Sequence, residues 1–335
     1  MYITNHTLFK PPNDQPITTL HQHTSSYLFL TQQSTAHLYN VKSTHQSSSS
    51  SSSPLPISSY TGHNPRSSIT SLSPLSTTQF ITTSTVIIIH DISQETPMRR
   101  IEPETSSQGA SGGSRFVIRD SVSLTEDVIA CCGDDMVVSL YDLRQKSVWR
   151  PVQKFQDAKD SLNSIDWDHK RKILCCGGSE GVLRNYDLRK QVCLHDDFHG
   201  DRIMSVECDQ EASFTSTSIV VGVMGNEEAV KVWDIDEMAI RAKFRKKQCD
   251  KEYKIDTRIG GGGKILISGS ESGEIYVWDR FDQRQSLCVS RISEASDDSL
   301  QLDRDLGDVM SAVSVLDTTV FVGRGDGAVE RFEVV

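Results

Sequence analysis

Short apolar runs separated by Gly, Asp and Ser recur along the whole chain, and seven of them end alike. The endings are AHLYNV at 36–41, VIIIHDI at 86–92, VVSLYDL at 137–143, VLRNYDL at 182–188, VKVWDI at 230–235, IYVWDR at 275–280 and VERFEV at 329–334. A ring-bearing residue holds the shared position: Tyr39, His90, Tyr141, Tyr186, Trp233, Trp278 and Phe332, spaced by 51, 51, 45, 47, 45 and 54 residues. A second apolar run precedes each ending, as in DVIACCG at 127–133, KILCCGG at 172–178 and TVFVGRG at 319–325. Between run and ending stand tight-turn pairs such as Glu180-Gly181, Ser272-Gly273 and Asp326-Gly327, the punctuation of a β-hairpin.

An alternating run opens each unit, for example SLNSIDW at 161–167 and RIMSVEC at 202–208, and a more polar strand such as AIRAKF at 239–244 follows each of the first six endings. Alternation with period two predicts strands. Four antiparallel strands repeated every 45–54 residues predict an all-β, closed seven-bladed β-propeller. The seventh ending is followed by no fourth strand, which would leave an exposed sheet edge; Tyr2–Phe9 (YITNHTLF) is expected to supply the outer strand and close the ring. Residues 1–335 thus read as one propeller with low-complexity loop insertions at about 42–56 and 103–114.

Composition changes this picture in one region. Ser and Thr make up 27 of the 55 residues from Thr31 to Thr85, and residues 1–90 hold one acid and three basic residues within a chain of net charge −10. Without the repeat this quarter would read as a polar tail; with it, the quarter is mostly blades 1 and 2. The longest purely aliphatic run, Val86–Ile89, is far short of the roughly 20 residues of a membrane helix. No basic start joined to an apolar stretch marks a secretory signal, so a soluble protein without membrane contact is expected. The acidic balance disfavours bare nucleic acid. Of eight cysteines, Cys131–Cys132 and Cys175–Cys176 lie inside apolar runs and no Cys-x-x-Cys occurs, which reads as buried, reduced packing residues.

The Trp233-Asp234 and Trp278-Asp279 endings, with Tyr141-Asp142 and Tyr186-Asp187 as variants, resemble the WD40 repeat family. That family's Gly-His pair survives as Gly62-His63, and its tight-turn Asp survives as Asp135 and Asp326, with Glu180, Glu228 or Ser272 in other units. The resemblance implies a non-catalytic interaction scaffold.

Chemistry-bearing motifs are weak. Gly260–Gly263 precede Lys264, but Ile265 follows where a phosphate loop needs Ser or Thr, so a hairpin turn is expected. His195, Asp196, Asp197 and His199 read as a solvated outer-strand edge, and no catalytic, cofactor or metal residues are assigned. The basic stretch Arg241, Lys243, Arg245, Lys246 and Lys247 reads either as a charge-protected edge strand or as a docking strip. Asp142-Leu143-Arg144 and Asp187-Leu188-Arg189, each after Tyr, resemble boxes with which some propellers dock to the cullin-RING ligase adaptor; the alternative function is therefore a substrate receptor of such a ligase.

PVQKFQDAKDSLNSI at 151–165, GVLRNYDLRK at 181–190, DKEYKID at 250–256 and SGSESGEIYVWD at 268–279 are similar to the mitogen-activated protein kinase organiser family. This implies spliceosomal components, kinase-cascade members or both as protein partners, RNA contact at most secondary, a monomer within larger assemblies, and nuclear and cytoplasmic location. Lys159, Asp160 and Trp167 of blade 4, with Glu252, Tyr253 and Lys254 of blade 6, are the candidate partner-binding residues. Tyr253 reads either as an exposed anchor or as a ring wedged between blades.

Overall fold

The structure is a computed structural model that describes residues 3–9, 11, 15–24, 26–40, 55–103, 116–145, 150–190, 192–198, 200–210, 218–225, 228–247, 250–282, 286–289, 309–316 and 318–334. The polyserine run 47–53 and the insertion 104–114 lie outside them, as does His199.

Every apolar run of the repeat is a strand. The first is β1 (Ile3–Phe9). Blade 1 holds β2 (Ile17–Thr24), β3 (Tyr27–Gln32), β4 (Thr35–Asn40) and β5 (Ser58–Tyr60); blade 2 holds β6 (Ser71–Pro74), β7 (Gln79–Thr83), β8 (Ile87–Asp91) and β9 (Gln94–Ile101). Blade 3 holds β10 (Ile118–Thr125), β11 (Val128–Gly133), β12 (Val138–Asp142) and β13 (Gln153–Phe155). Blade 4 holds β14 (Leu162–Asp168), β15 (Ile173–Gly178), β16 (Val182–Asp187) and β17 (Val192–Asp197). Blade 5 holds β18 (Arg202–Cys208), β19 (Ser218–Met224), β20 (Val230–Asp234) and β21 (Ala239–Phe244); blade 6 holds β22 (Thr257–Gly260), β23 (Ile265–Ser268), β24 (Ile275–Asp279) and β25 (Ser286–Val289). Blade 7 holds β26 (Met310–Leu316), β27 (Thr319–Arg324) and β28 (Val329–Val334).

The fourth strand of blade 7 is β1, antiparallel to β28 from Ile3 opposite Val334 to Phe9 opposite Val329. The first strand of each blade lies innermost and touches its counterparts in both neighbouring blades; β26 meets β2, so the ring is closed. The predicted turns hold: Gly181, Gly273 and Gly327 have φ of 79°, 79° and 82°, a region that glycine enters without strain. Gly260–Gly263 form the turn from β22 to β23.

Among the described residues the apolar core falls into seven slabs, one at each blade interface. Ile173, Cys175, Ile203, Val206 and Ile219 fill the space between blades 4 and 5, and Ile17, Leu20, Leu28, Phe321 and Val329 that between blades 7 and 1. Glycine brings neighbouring sheets close: a Cβ on Gly177 would lie 2.3 Å from Ile203 Cγ2, and one on Gly323 would lie 2.6 Å from Ile17 Cγ2.

The Ser/Thr-rich quarter folds by hydrogen bonding what it cannot bury as hydrocarbon. Buried Thr31 shares its hydroxyl with Thr18 and Thr19 at 2.6 and 2.8 Å. Thr82 Oγ1 lies 2.8 Å from His63 Nε2 and 3.0 Å from His90 Nε2, a His–Thr–His chain using the Gly-His histidine and the ring-position histidine of blade 2. Burial brings both imidazoles down to about 4, so they are neutral at physiological pH. Cys131, Cys132, Cys175, Cys176 and Cys208 are buried free thiols and Cys193 is half-buried and free.

Candidate functional site: the upper face and the central channel

In an antiparallel four-stranded blade, the start of strand one and the turn between strands two and three share one end. That end is termed the upper face. Lys159 and Asp160, just before β14, sit there and are exposed, and the Lys159 N–H donates to Glu180 Oε2 at 3.2 Å in the turn between β15 and β16. The corresponding turn of blade 6 is held more tightly. Glu271 Oε1 accepts the backbone N–H groups of Lys251, Glu252 and Tyr253 at 2.9, 2.7 and 2.7 Å. Glu252 and Tyr253 are exposed, Tyr253 at 37%, and Lys254 is half-buried. Tyr253 is therefore not a ring sunk between blades.

Trp167 is a correction. It is 4% exposed and packs with Leu124, Ala130 and Leu174 between blades 3 and 4. It stands one residue past Asp166, which faces the channel, and alternation along β14 turns the indole into the blade interface.

Tyr253 and Lys254 border the central channel, a space of about 640 Å³ lined by the innermost strands. Sequence reading missed its charged wall: His21, Asp120, Asp166, Glu207, Asp256 and Arg258. The available signal was a charged residue inside the first run of several units, as in IRDSVSL, SLNSIDW and RIMSVEC. Three of these carboxylates also stitch blades together. Asp120 Oδ2 accepts the Ile165 N–H at 3.1 Å, Asp166 Oδ2 that of Cys208 at 2.7 Å, and Glu207 Oε2 that of Ile259 at 3.2 Å. Each satisfies a donor on the inner strand of the next blade.

Arg258 lies 3.8 Å from Glu207 and 3.7 Å from Asp256. Burial opposes its charge, but Asp256, Glu207, Asp120 and Asp166 together hold the guanidinium above its ordinary range. Burial pushes the Glu207 carboxyl up to about 8 and the Asp166 carboxyl up to about 6, against the pull of Arg258. Burial, with Arg258 nearby, brings His21 down to about 4. The wall therefore offers carboxyl groups that share their charge with the Arg258 guanidinium.

The Tyr-Asp-Leu-Arg boxes occupy the opposite, lower face, in the turns between third and fourth strands. Arg144 Nη2 meets Asp142 Oδ2 at 2.7 Å and Arg189 Nη2 meets Asp187 Oδ2 at 3.3 Å. Each Asp also accepts the backbone N–H of its own Arg at 3.0 Å. The side-chain hydrogen bond from Arg144 brings Asp142 down to about 2. The same turn recurs where Asp234 accepts from Asp236 and Glu237, and where Asp279 accepts from Phe281 and Asp282. Turn capping by the ending's Asp is thus shared by boxes with and without arginine.

The basic stretch is largely neutralised. Arg241 pairs with Asp234 at 2.5 Å, Lys243 with Glu228 at 2.7 Å and Arg245 with Glu228 at 3.2 Å, while Lys246 is buried against Asp250 at 2.5 Å. The stretch thus carries the ion pairs of a charge-protected edge.

Seven four-stranded blades, a Trp-Asp or related ending on the third strand and a Gly-His histidine bound to its blade define a WD40-repeat β-propeller. Residues 121–209 match the family of the anaphase-promoting complex subunit 4 WD40 domain. The chain resembles the WD repeat domain-containing protein 83 homolog of Dictyostelium discoideum, at 24% identity over 185 residues that cover 47% of this chain and 54% of that protein. An uncharacterized WD repeat-containing protein of Schizosaccharomyces pombe is 30% identical over 140 residues, 42% of this chain and 44% of the relative. The matched stretches thus span about half the length of these relatives.

Proposed function

We propose that the protein is a non-catalytic scaffold that binds other proteins through its upper face, with Tyr253 as the principal anchor and Lys159, Asp160, Glu252 and Lys254 around it. WD40 propellers generally act as protein-interaction scaffolds, and the resemblance to the WD repeat domain-containing protein 83 homolog supports the same role here. The observation that carries the proposal is the turn at 251–253: three backbone N–H groups converge on one carboxylate, so an exposed tyrosine is held rigid beside a charged channel. A preorganised aromatic loses little entropy on binding. The net charge of −10 suits basic protein segments. The partners proposed are spliceosomal components, members of a mitogen-activated protein kinase cascade, or both, met in nucleus and cytoplasm.

Affinity purification from nuclear and cytosolic fractions, comparing the wild type with Tyr253→Ala and with Arg144→Ala plus Arg189→Ala, tests this. Splicing or kinase-cascade proteins should be lost with Tyr253→Ala and retained by the double arginine variant. Recovery of a cullin-RING adaptor that the arginine variant loses would replace the proposal with the ligase-receptor reading.

A further inference from the structure

The outer strand of blade 4 carries a cluster that scaffolding does not use. Cys193 and His195 stand two residues apart on β17, so their side chains emerge on the same side of the sheet. Asp157, from the connection between β13 and β14, reaches the same point. Its Oδ2 lies 2.9 Å from His195 Nε2 and 3.6 Å from Cys193 Sγ, and its Oδ1 accepts the Tyr186 hydroxyl at 2.7 Å. Among the described residues this is the one group of three thiol, imidazole or carboxylate side chains whose ligand atoms fall within 4.8 Å of one another. The grouping differs from that suggested by the sequence: alternation sends Asp196 to the other face, where it accepts from Asn185 at 3.1 Å.

We propose that Asp157, Cys193 and His195 form a binding site for a first-row transition-metal dication, with zinc the best match.

The geometry is close to what zinc needs. Tetrahedral zinc, with Zn–S of about 2.3 Å and Zn–N or Zn–O of about 2.0–2.1 Å, sets its sulfur and oxygen ligands about 3.6 Å apart and its nitrogen and oxygen ligands about 3.3 Å apart. The Cys193–Asp157 separation already meets the first figure, and the His195–Asp157 separation needs to widen by about 0.4 Å. Water takes the fourth position. A thiolate with an imidazole selects zinc and its neighbours over magnesium or calcium.

The opposing charge is Arg184, whose Nε lies 3.5 Å from Asp157 Oδ2 and whose Nη2 lies 2.5 Å from Glu180 Oε2. Glu180 holds Arg184 in turn, so with the thiol ionised the Asp157 carboxylate and the Cys193 thiolate present two negative charges to a dication. Binding forms a sulfur–metal bond as the Cys193 S–H bond breaks, and the proton is released to solvent.

The test is titration of the full chain, metal-stripped and kept reduced, with Co²⁺ and then Zn²⁺. Cobalt should produce a thiolate-to-metal charge-transfer band that zinc abolishes. Cys193→Ala should remove the band, and His195→Ala should weaken cobalt binding by about tenfold or more, while circular dichroism of the metal-free variants stays that of the wild type. Absence of the band at saturating cobalt overturns the proposal. So does a band that survives in Cys193→Ala, because another cysteine would then hold the metal. If Cys193→Ala misfolds, Cys193→Ser decides: a thiolate-to-cobalt band that persists in that variant overturns the proposal.

Discussion

Glu271 fixes Tyr253 from across the upper face of blade 6: its Oε1 accepts the Tyr253 N–H at 2.7 Å and those of Glu252 and Lys251 as well. One carboxylate thus does for a turn what a helix cap does for a helix end, collecting donors that no strand partner satisfies. The consequence separates binding from folding. Tyr253→Ala should leave the melting temperature nearly unchanged and weaken partner capture by about 2 kcal/mol, roughly thirtyfold. Glu271→Ala should weaken capture as well, through loss of order in the turn, and cost stability only about 1 kcal/mol because water reaches the freed N–H groups. Binding titrations and thermal melts on the same preparations check both. Full-strength capture by both variants would remove the upper face of blade 6 from the binding surface.

Trp167 behaves in the opposite way. Buried at 4% exposure between blades 3 and 4, it is a packing residue, and Trp167→Ala should destabilise the protein by about 3–5 kcal/mol. Chemical unfolding measures the loss. An unchanged unfolding midpoint would contradict the packing described for that interface.

Lys246 and Asp250 form an ion pair at 2.5 Å in which neither side chain exceeds 5% exposure, and Lys246 also donates to the Gly269 carbonyl at 2.7 Å. Burial pulls the Lys246 ammonium below its ordinary range, against the attraction of Asp250. Asp250→Ala strands that ammonium and should cost about 3–5 kcal/mol, whereas Lys246→Met combined with Asp250→Ala should recover a good part of it. A double variant no more stable than Asp250→Ala would show that the cost comes from the lost Ser270 and Glu271 contacts of Asp250.

The channel wall predicts a pH dependence with a definite sign. Burial raises Glu207 from an ordinary 4.5 to about 8 in the folded protein. The folded state therefore holds a proton that the unfolded state releases, and the contribution is complete below about pH 4.5 and lost as pH rises through about 8. Asp166, raised from 3.8 to about 6, adds a smaller fall at lower pH. Urea midpoints across this range should decline in the wild type relative to Glu207→Gln by an amount on the order of a kcal/mol or more. Parallel curves for the two proteins would remove Glu207 as the source.

Ring closure rests on β1. Deleting residues 1–9 exposes β28, whose ladder runs from Val329 to Val334, and should lower stability by several kcal/mol and promote self-association through the open edge. Equal melting of the truncated and full chains would separate closure from stability.

The repeat was legible because its cause is local. A blade is specified by runs of alternating residues and by turn glycines, and the predicted runs RIMSVEC at 202–208 and AIRAKF at 239–244 coincide with β18 and β21. The Ser/Thr-rich quarter needed the repeat to be read as blades, since its buried hydroxyls find partners only across the sheet, as Thr31 does with Thr18. Trp167 was misplaced for a related reason. Its neighbour Asp166 faces the channel, and only the packing of blade 4 on blade 3 shows which parity of β14 lines the channel and which fills the core.

The sequence by itself determined the strand order, the number of blades and the pairing of the first strand with the last, because these follow from period-two alternation and a spacing that seven endings share. Tertiary structure decided everything that depends on two blades or two strands meeting. It gathered Asp120, Asp166, Glu207 and Arg258, separated by up to 138 positions, around one channel. It paired Arg241 and Lys243 of β21, and Arg245 just after it, with acids on the neighbouring strand and loop. It also brought Asp157 to Cys193 and His195 across 36 and 38 positions. Alternation states that a side chain lies on one of two faces, but the closure of the ring and the stagger of each sheet settle what stands opposite, and charge and ligand chemistry depend on that opposite group.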